Sequence, residues 1–141
     1  MLKKIVFVFS FFIVSSAFAG FDEGFAAFQK KDYAAALKEW QPLAKQGNVA
    51  AQFNLGLMFQ NGFGVKKDSA KAAEWYLKAA EQNDAEAQFK IGQLLLDGQG
   101  VKKNEVKAAE WFKKSAEHGN AEAQAYLGDL FKNGQGVSGK D

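Results

Sequence analysis

Cysteine is absent from the 141 residues, which excludes disulfides, thiolate metal sites and a cysteine nucleophile. Arginine is absent too, and all eighteen basic residues are lysine. Arginine is the preferred residue for bidentate contacts to phosphate and base edges, so its absence argues against nucleic-acid binding. The single histidine, His118, excludes a multi-histidine metal cluster and leaves little for a Ser-His-Asp triad. Neither a metal nor a cofactor is expected. Proline occurs once, as Pro42. What remains is 48% hydrophobic and 24% charged, a globular composition in a chain long enough for one domain.

The first nineteen residues differ from the rest. Lys3 and Lys4 precede an apolar run from Ile5 to Val14, broken only by Ser10. Ala17 and Ala19 then stand in an A-x-A arrangement. This pattern is that of a secretory signal cleaved between Ala19 and Gly20. The competing reading, a transmembrane anchor, needs ~20 apolar residues, and the run is about half that. Cleavage would also remove the formal charge of +2, since both surplus lysines lie in this segment. The expected product is periplasmic or secreted, formally neutral, and a poor long-range attractor for nucleic acid or anionic lipid. No membrane anchor is expected after cleavage.

The remainder is repetitive, with a period of thirty-six residues. Ala51-Gln52, Ala87-Gln88 and Ala123-Gln124 share that spacing, as do Leu55-Gly56, Ile91-Gly92 and Leu127-Gly128. Gly62-Phe63-Gly64-Val65, Gly98-Gln99-Gly100-Val101 and Gly134-Gln135-Gly136-Val137 follow in register. Lys71-Ala72-Ala73-Glu74-Trp75 matches Lys107-Ala108-Ala109-Glu110-Trp111. No insertion is needed anywhere, so the chain is an array of one repeated unit.

Each unit carries two helical patterns. Asn48, Asp84 and Asn120 are placed as N-caps of a first helix, which spans about Val49 to Asn61 in the best-defined unit. Its apolar residues Ala51, Leu55, Met58 and Phe59 keep helical spacing, and Gly62 and Gly64 stop it. A second helix follows Asp68 or Asn104 and runs to about Gln82 or His118. Gly56, Gly92 and Gly128 lie inside first helices, where glycine costs ~1 kcal/mol against alanine. Their recurrence predicts close helix–helix approach. Lys30-Lys31-Asp32 aligns with Lys66-Lys67-Asp68, and Trp40 with Tyr76 and Phe112, so a diverged helix pair comes first. The expected organisation is a signal at 1–19, the diverged pair at 20–48, and repeats at 49–84 and 85–120. A capping half-repeat at 121–137 and a tail at 138–141 complete it. That makes seven helices, the last unpaired.

The string Ala-Gln-x-x-Leu-Gly, then Gly-x-Gly-Val-x-x-Asp, then Lys-Ala-x-x-Trp-x-x-x-Ala-Ala-Glu resembles the Sel1-like repeat, a relative of the tetratricopeptide repeat. The match covers most of residues 30–137. The resemblance implies an all-α fold, an α-solenoid of antiparallel helix pairs in a right-handed superhelix, with first helices lining a concave face. It also implies scaffolding and protein–protein interaction, with secreted bacterial members linked to envelope regulation and host contact. Some cysteine-rich relatives have been described as β-lactamases. That label does not transfer to this chain, which lacks cysteine and has no S-x-x-K motif.

Several residues invite sharper readings. Gly134 to Lys140 fits G-x-x-x-x-G-K, but Asp141 stands where a phosphate loop needs Ser or Thr. The same glycines recur as ordinary repeat loops. His118 aligns with Gln46 and Gln82 at a helix C-terminus, where the dipole favours it without any catalytic role. Trp75 and Trp111 recur at one repeat position, as packing between units would require. The Lys66-Lys67 and Lys102-Lys103 pairs read as a solvated loop edge.

On the implied concave face, the first unit would present Phe53, Leu57, Gln60 and Asn61. The second would present Phe89, Lys90, Gln93, Leu96 and Asp97, and the last Tyr126, Asp129 and Lys132. Aromatics beside amides and mixed charge suit recognition of a protein or peptide partner. Equally, Phe53 and Phe89 could pack between neighbouring first helices. The expectation is therefore a non-catalytic adaptor or regulator that binds a protein partner. The alternatives are a cell-wall hydrolase and a mainly structural envelope component. The hydrolase lacks a nucleophile–base pair.

Overall fold

Residues 19–135 are described in the computed structural model; the proposed signal segment up to residue 18 and the tail from residue 136 lie outside them. The described residues form seven helices and no strand. Helix α1 covers 19–29, α2 Tyr33–Lys45, α3 Val49–Asn61 and α4 Ser69–Glu81. Then come α5 Ala85–Asp97, α6 Glu105–Glu117 and α7 Ala121–Lys132. Each helix packs on its neighbours in sequence, α3 on α4 and α5 on α6 most extensively, giving an all-α solenoid.

Capping side chains set the helix starts. Asp32, Asn48, Asp68, Asp84, Asn104 and Asn120 each accept the backbone N–H three residues on, at 2.8–3.1 Å. Each bond satisfies one of the donors that a helix N-terminus leaves without a partner. Gly62 and Gly98 end α3 and α5 in the left-handed region, at φ 71° and 67°. An L side chain reaches that region only at a cost, so glycine belongs there.

The helix interiors show why glycine recurs within them. A Cβ built on Gly56 would lie 2.5 Å from the Tyr76 ring, and one on Gly92 would lie 2.7 Å from the Phe112 ring. The bare backbone of each first helix thus receives an aromatic ring of the second helix in the same unit. The diverged first pair uses the same device, because a Cβ on Gly24 would collide with Trp40. Gly24 stands thirty-two residues before Gly56, and the α1–α2 loop is four residues shorter than the α3–α4 loop. The first pair is therefore the same unit with a shorter connection. Trp40, Tyr76 and Phe112 are fully buried and centre the core.

A polar thread runs between units. Gln52 donates its amide to Ala44 O at 3.1 Å and accepts from Gln82 Nε2 at 2.9 Å. Gln88 repeats this, donating to Ala80 O at 3.1 Å, with His118 Nδ1 3.0 Å from its Oε1. The two glutamines are 4% and 1% exposed, so these bonds replace lost hydration. His118 thus takes the place of Gln82 in the next unit, and a structural hydrogen bond adds to the expected dipole effect.

Helix α7 covers α6 on one side only. Ala123 and Leu130 are buried, and the Tyr126 ring lies 5.3 Å from that of Phe112. The other side of α7 leaves Phe131 55% exposed.

Candidate functional site

First helices α1, α3 and the start of α5 line a groove of about 460 Å³. Phe21, Asp22 and Phe25 come from α1, and Ala50, Phe53 and Asn54 from α3. Asp84 and Glu86 close it at the start of α5. Aromatic rings supply the apolar lining. Phe25 is 48% exposed, and the half-buried Phe53 has its ring centroid 5.6 Å from that of Tyr76. The charged side chains in the lining are all carboxylates, with no lysine among them. Asp84 is occupied as the N-cap of α5, bonding Ala87 N at 2.8 Å. Glu86 accepts from Asn120 Nδ2 at 3.0 Å. Asp22 is exposed.

A larger hollow of about 790 Å³ opens on the loop side, lined by Phe59, Val65, Lys66, Lys67, Asp68 and Lys71 among others. The Lys71 ammonium sits 5.4 Å from the centroid of the Phe59 ring, and Asp68 is spent capping α4. It is the lysine-rich loop edge expected from Lys66-Lys67. Trp75 and Trp111 are half-buried, each under a lysine one turn on: Lys78 at 4.7 Å and Lys114 at 4.4 Å. They pack and do not form a ligand box.

Only Phe53 of the expected recognition residues lines the groove. Phe89 requires correction as a surface anchor: it is 3% exposed and packs into the core. Its ring lies 5.7 Å from Phe112 and 5.3 Å from Tyr126. The cause is the residue at one repeat position. Tyr126 covers Phe89, whereas the corresponding residue one unit earlier is Lys90, and Phe53 stays half-buried. Leu57 and Leu96 are half-buried against the core, so their apolar surface is largely spent on packing. Gln60 accepts the Tyr76 hydroxyl at 2.6 Å, and Asn61 donates to Leu57 O at 2.9 Å. Gln93 reaches Tyr126 Oη at 3.5 Å. Lys90 is half-buried, while Asp97, Asp129 and Lys132 are exposed, outside the groove lining. Tyr126 is 39% exposed, with one face of the ring on the core.

Sequence reasoning missed Phe21, Asp22, Phe25, Ala50, Asn54, Asp84 and Glu86. Ala50 stands one turn before both Phe53 and Asn54, at i+3 and i+4, and could have been named with Phe53. The α1 residues were hidden because the first unit has lost the Gly-x-Gly loop that marks the others.

Chemically the groove offers exposed aromatic surface beside carboxylates. Burial pushes the Tyr76 phenol above its ordinary range, but its hydroxyl is bonded to Gln60 inside the fold. Among the described residues no group of three or more His, Cys, Asp or Glu could hold a metal ion. Among them, too, no helix is long and apolar enough to cross a membrane.

Comparison with known proteins agrees with the repeat geometry. The Sel1 repeat model matches residues 49–84, 85–120 and 121–141. A Sel1 repeat protein from Oxalobacter formigenes superposes with a TM-score of 0.77 at 38% identity, over 82% of this chain and 47% of that one. A protective antigen of uropathogenic Escherichia coli with an SLR fold gives 0.83 at 36% identity, over 86% of this chain and 27% of that one. Cysteine-rich protein B of Helicobacter pylori gives 0.63 at 32% identity, over 65% and 69%. No curated protein matches the chain. The chain spans about half of the Oxalobacter protein and about a quarter of the Escherichia coli antigen. Repeat period, glycine–aromatic packing and these matches lead to one assignment: the chain belongs to the Sel1 repeat family, whose members generally mediate protein–protein interaction.

Proposed function

We propose that the protein is an exported, non-catalytic adaptor that takes a segment of a partner protein in the groove between α1, α3 and α5. The observation that carries this reading is the lining itself: Phe21, Phe25 and Phe53 beside Asp22, Asp84 and Glu86, with no lysine. Aromatic rings supply most of the energy at such surfaces, and complementary charge selects the partner. The segment recognised is therefore apolar and positively charged. Export rests on the basic, apolar and A-x-A pattern of residues 1–19, with cleavage between Ala19 and Gly20. Its product is periplasmic or secreted.

A photo-cross-linking residue placed at position 25 in cells of the source organism tests the groove. It should trap one discrete protein. The same residue at position 77, exposed on α4 outside the groove, should not. Equal labelling from both positions would remove the groove from the account. N-terminal sequencing of envelope material tests export and should begin at Gly20-Phe21-Asp22. An intact Met1 on membrane-bound protein would show an anchor instead.

A further inference from the structure

Gly20, the residue that follows the proposed cleavage point, lies against α2. Gly20 and Gly24 stand one turn apart on α1 and share its α2-facing side. A Cβ on Gly24 would collide with Trp40, and one on Gly20 would lie 3.5 Å from Glu39 Oε2 and 3.7 Å from Leu43 Cδ1. A Cβ stands about 2.5 Å from its own backbone nitrogen, so Gly20 N lies within about 6 Å of that carboxylate oxygen. Gly20 and Glu39 are both half-buried. The other charges near the start of α1, Asp22 and Glu23, are exposed on α1 itself. Asp22 lines the groove and Gly20 does not; across the groove α3 contributes no charge, and α5 contributes Asp84 and Glu86. The residue after Gly20 is already fixed from α2. Trp40 Nε1 donates to Phe21 O at 3.2 Å, and the two rings stack with centroids 5.9 Å apart.

We propose that Glu39 is the docking site for the α-ammonium group that signal removal creates at Gly20, so that export itself locks the start of α1 onto α2 and finishes the groove wall. This rests on the cleavage proposed above. Hydrolysis of the Ala19–Gly20 bond puts the hydroxyl of water on the Ala19 carbonyl and its proton on the Gly20 nitrogen. That nitrogen takes a further proton from solvent and becomes an ammonium. A carboxylate within about 4–6 Å favours the charged form of an amine, and half-burial weakens screening by salt. The dipole of α1 acts the other way, because a helix N-terminus disfavours positive charge. It amounts to roughly half an elementary charge, against the full charge of Glu39. The pairing holds the new cation on the α2 side of α1, where it does not neutralise Asp22 in the groove.

The test uses the mature chain, released from a fusion by a protease that cuts immediately before glycine, so that Gly20 comes first. The carbon-13 shift of the Gly20 α-carbon, followed by NMR against pH, reads the ammonium directly. Its midpoint should lie above the ordinary range of about 7.7–8.0, and Glu39→Gln should lower it by about half a pH unit or more. Enzymatic acetylation of the α-amino group alone gives a second readout. Removing a positive charge from a helix N-terminus raises the melting temperature if the dipole acts alone. In the wild type acetylation should instead lower it, and in Glu39→Gln it should not. If Glu39→Gln does not fold, the sign of the wild-type acetylation effect decides. A midpoint that Glu39→Gln leaves unchanged, or a wild type stabilised by acetylation, overturns the pairing and leaves the export reading standing. N-terminal sequencing of envelope material that does not begin at Gly20 overturns the docking in the cell, whatever the titration of the released chain shows.

Discussion

At Gly56 and Gly92 the absence of a side chain is a packing requirement, whereas at Gly128 it is not. A methyl on Gly56 must move the Tyr76 ring, which is fully buried and bonded to Gln60. Gly56→Ala should therefore cost about 1–3 kcal/mol, despite alanine's better helix propensity. Gly128→Ala should instead gain up to about 1 kcal/mol, as in an exposed helix. Urea midpoints of the two variants check both signs. The recurrence of these glycines was legible in the sequence; the ring that each one faces was not, because the contact joins residues twenty apart. Tyr76 gives a second residue-scale prediction. Burial raises its phenol pKa above the ordinary value of 10.0. Below that value both folded and unfolded chains hold the proton, and the contribution to stability is complete. Above it the unfolded chain releases the proton first, so stability falls as pH rises. Phenylalanine already fills this position as Phe112, so Tyr76→Phe should fold. Its urea midpoint should fall less than that of the wild type between about pH 9 and pH 11.

Helix limits were the most legible elements, because caps and glycines are local signals. Val49–Asn61 was expected and is observed, and the expected N-caps at Asn48, Asp84 and Asn120 all bond as such. The first pair was less legible, since its helices are joined by a short loop without Gly-x-Gly. Asp68→Ala should cost about 1 kcal/mol, the usual price of an N-cap, with Asn104→Ala alike. Thermal melts of the two variants should show similar losses, as repeat equivalence demands. Helix α7 covers Phe89 and Phe112 through Tyr126. Deleting residues 121–141 should expose both rings and promote aggregation. A soluble truncated chain with unchanged melting behaviour would show that α7 does not protect the core.

For the whole molecule, the repeat period pointed to the solenoid, but it could not say which aromatics stay open. That depends on the residue each neighbouring unit sets against them: Tyr126 closes over Phe89, while the register of Tyr126 one unit earlier holds Lys90, and Phe53 stays half-buried. The groove also draws on α1, the least repeat-like helix, so its acidic aromatic lining emerged only in three dimensions. Purified mature protein should not turn over a chromogenic β-lactam, and measurable turnover would revive the hydrolase reading. The most direct measurement compares affinity for the cross-linked partner, or for a basic apolar segment of it, across matched variants. Phe25→Ala with Phe53→Ala should weaken binding by tens of fold with helix content unchanged by circular dichroism, as loss of buried anchors does. Lys66→Ala with Lys67→Ala should barely matter at physiological salt. Dominant lysines with neutral aromatics would contradict the account and place the interaction on the loop edge.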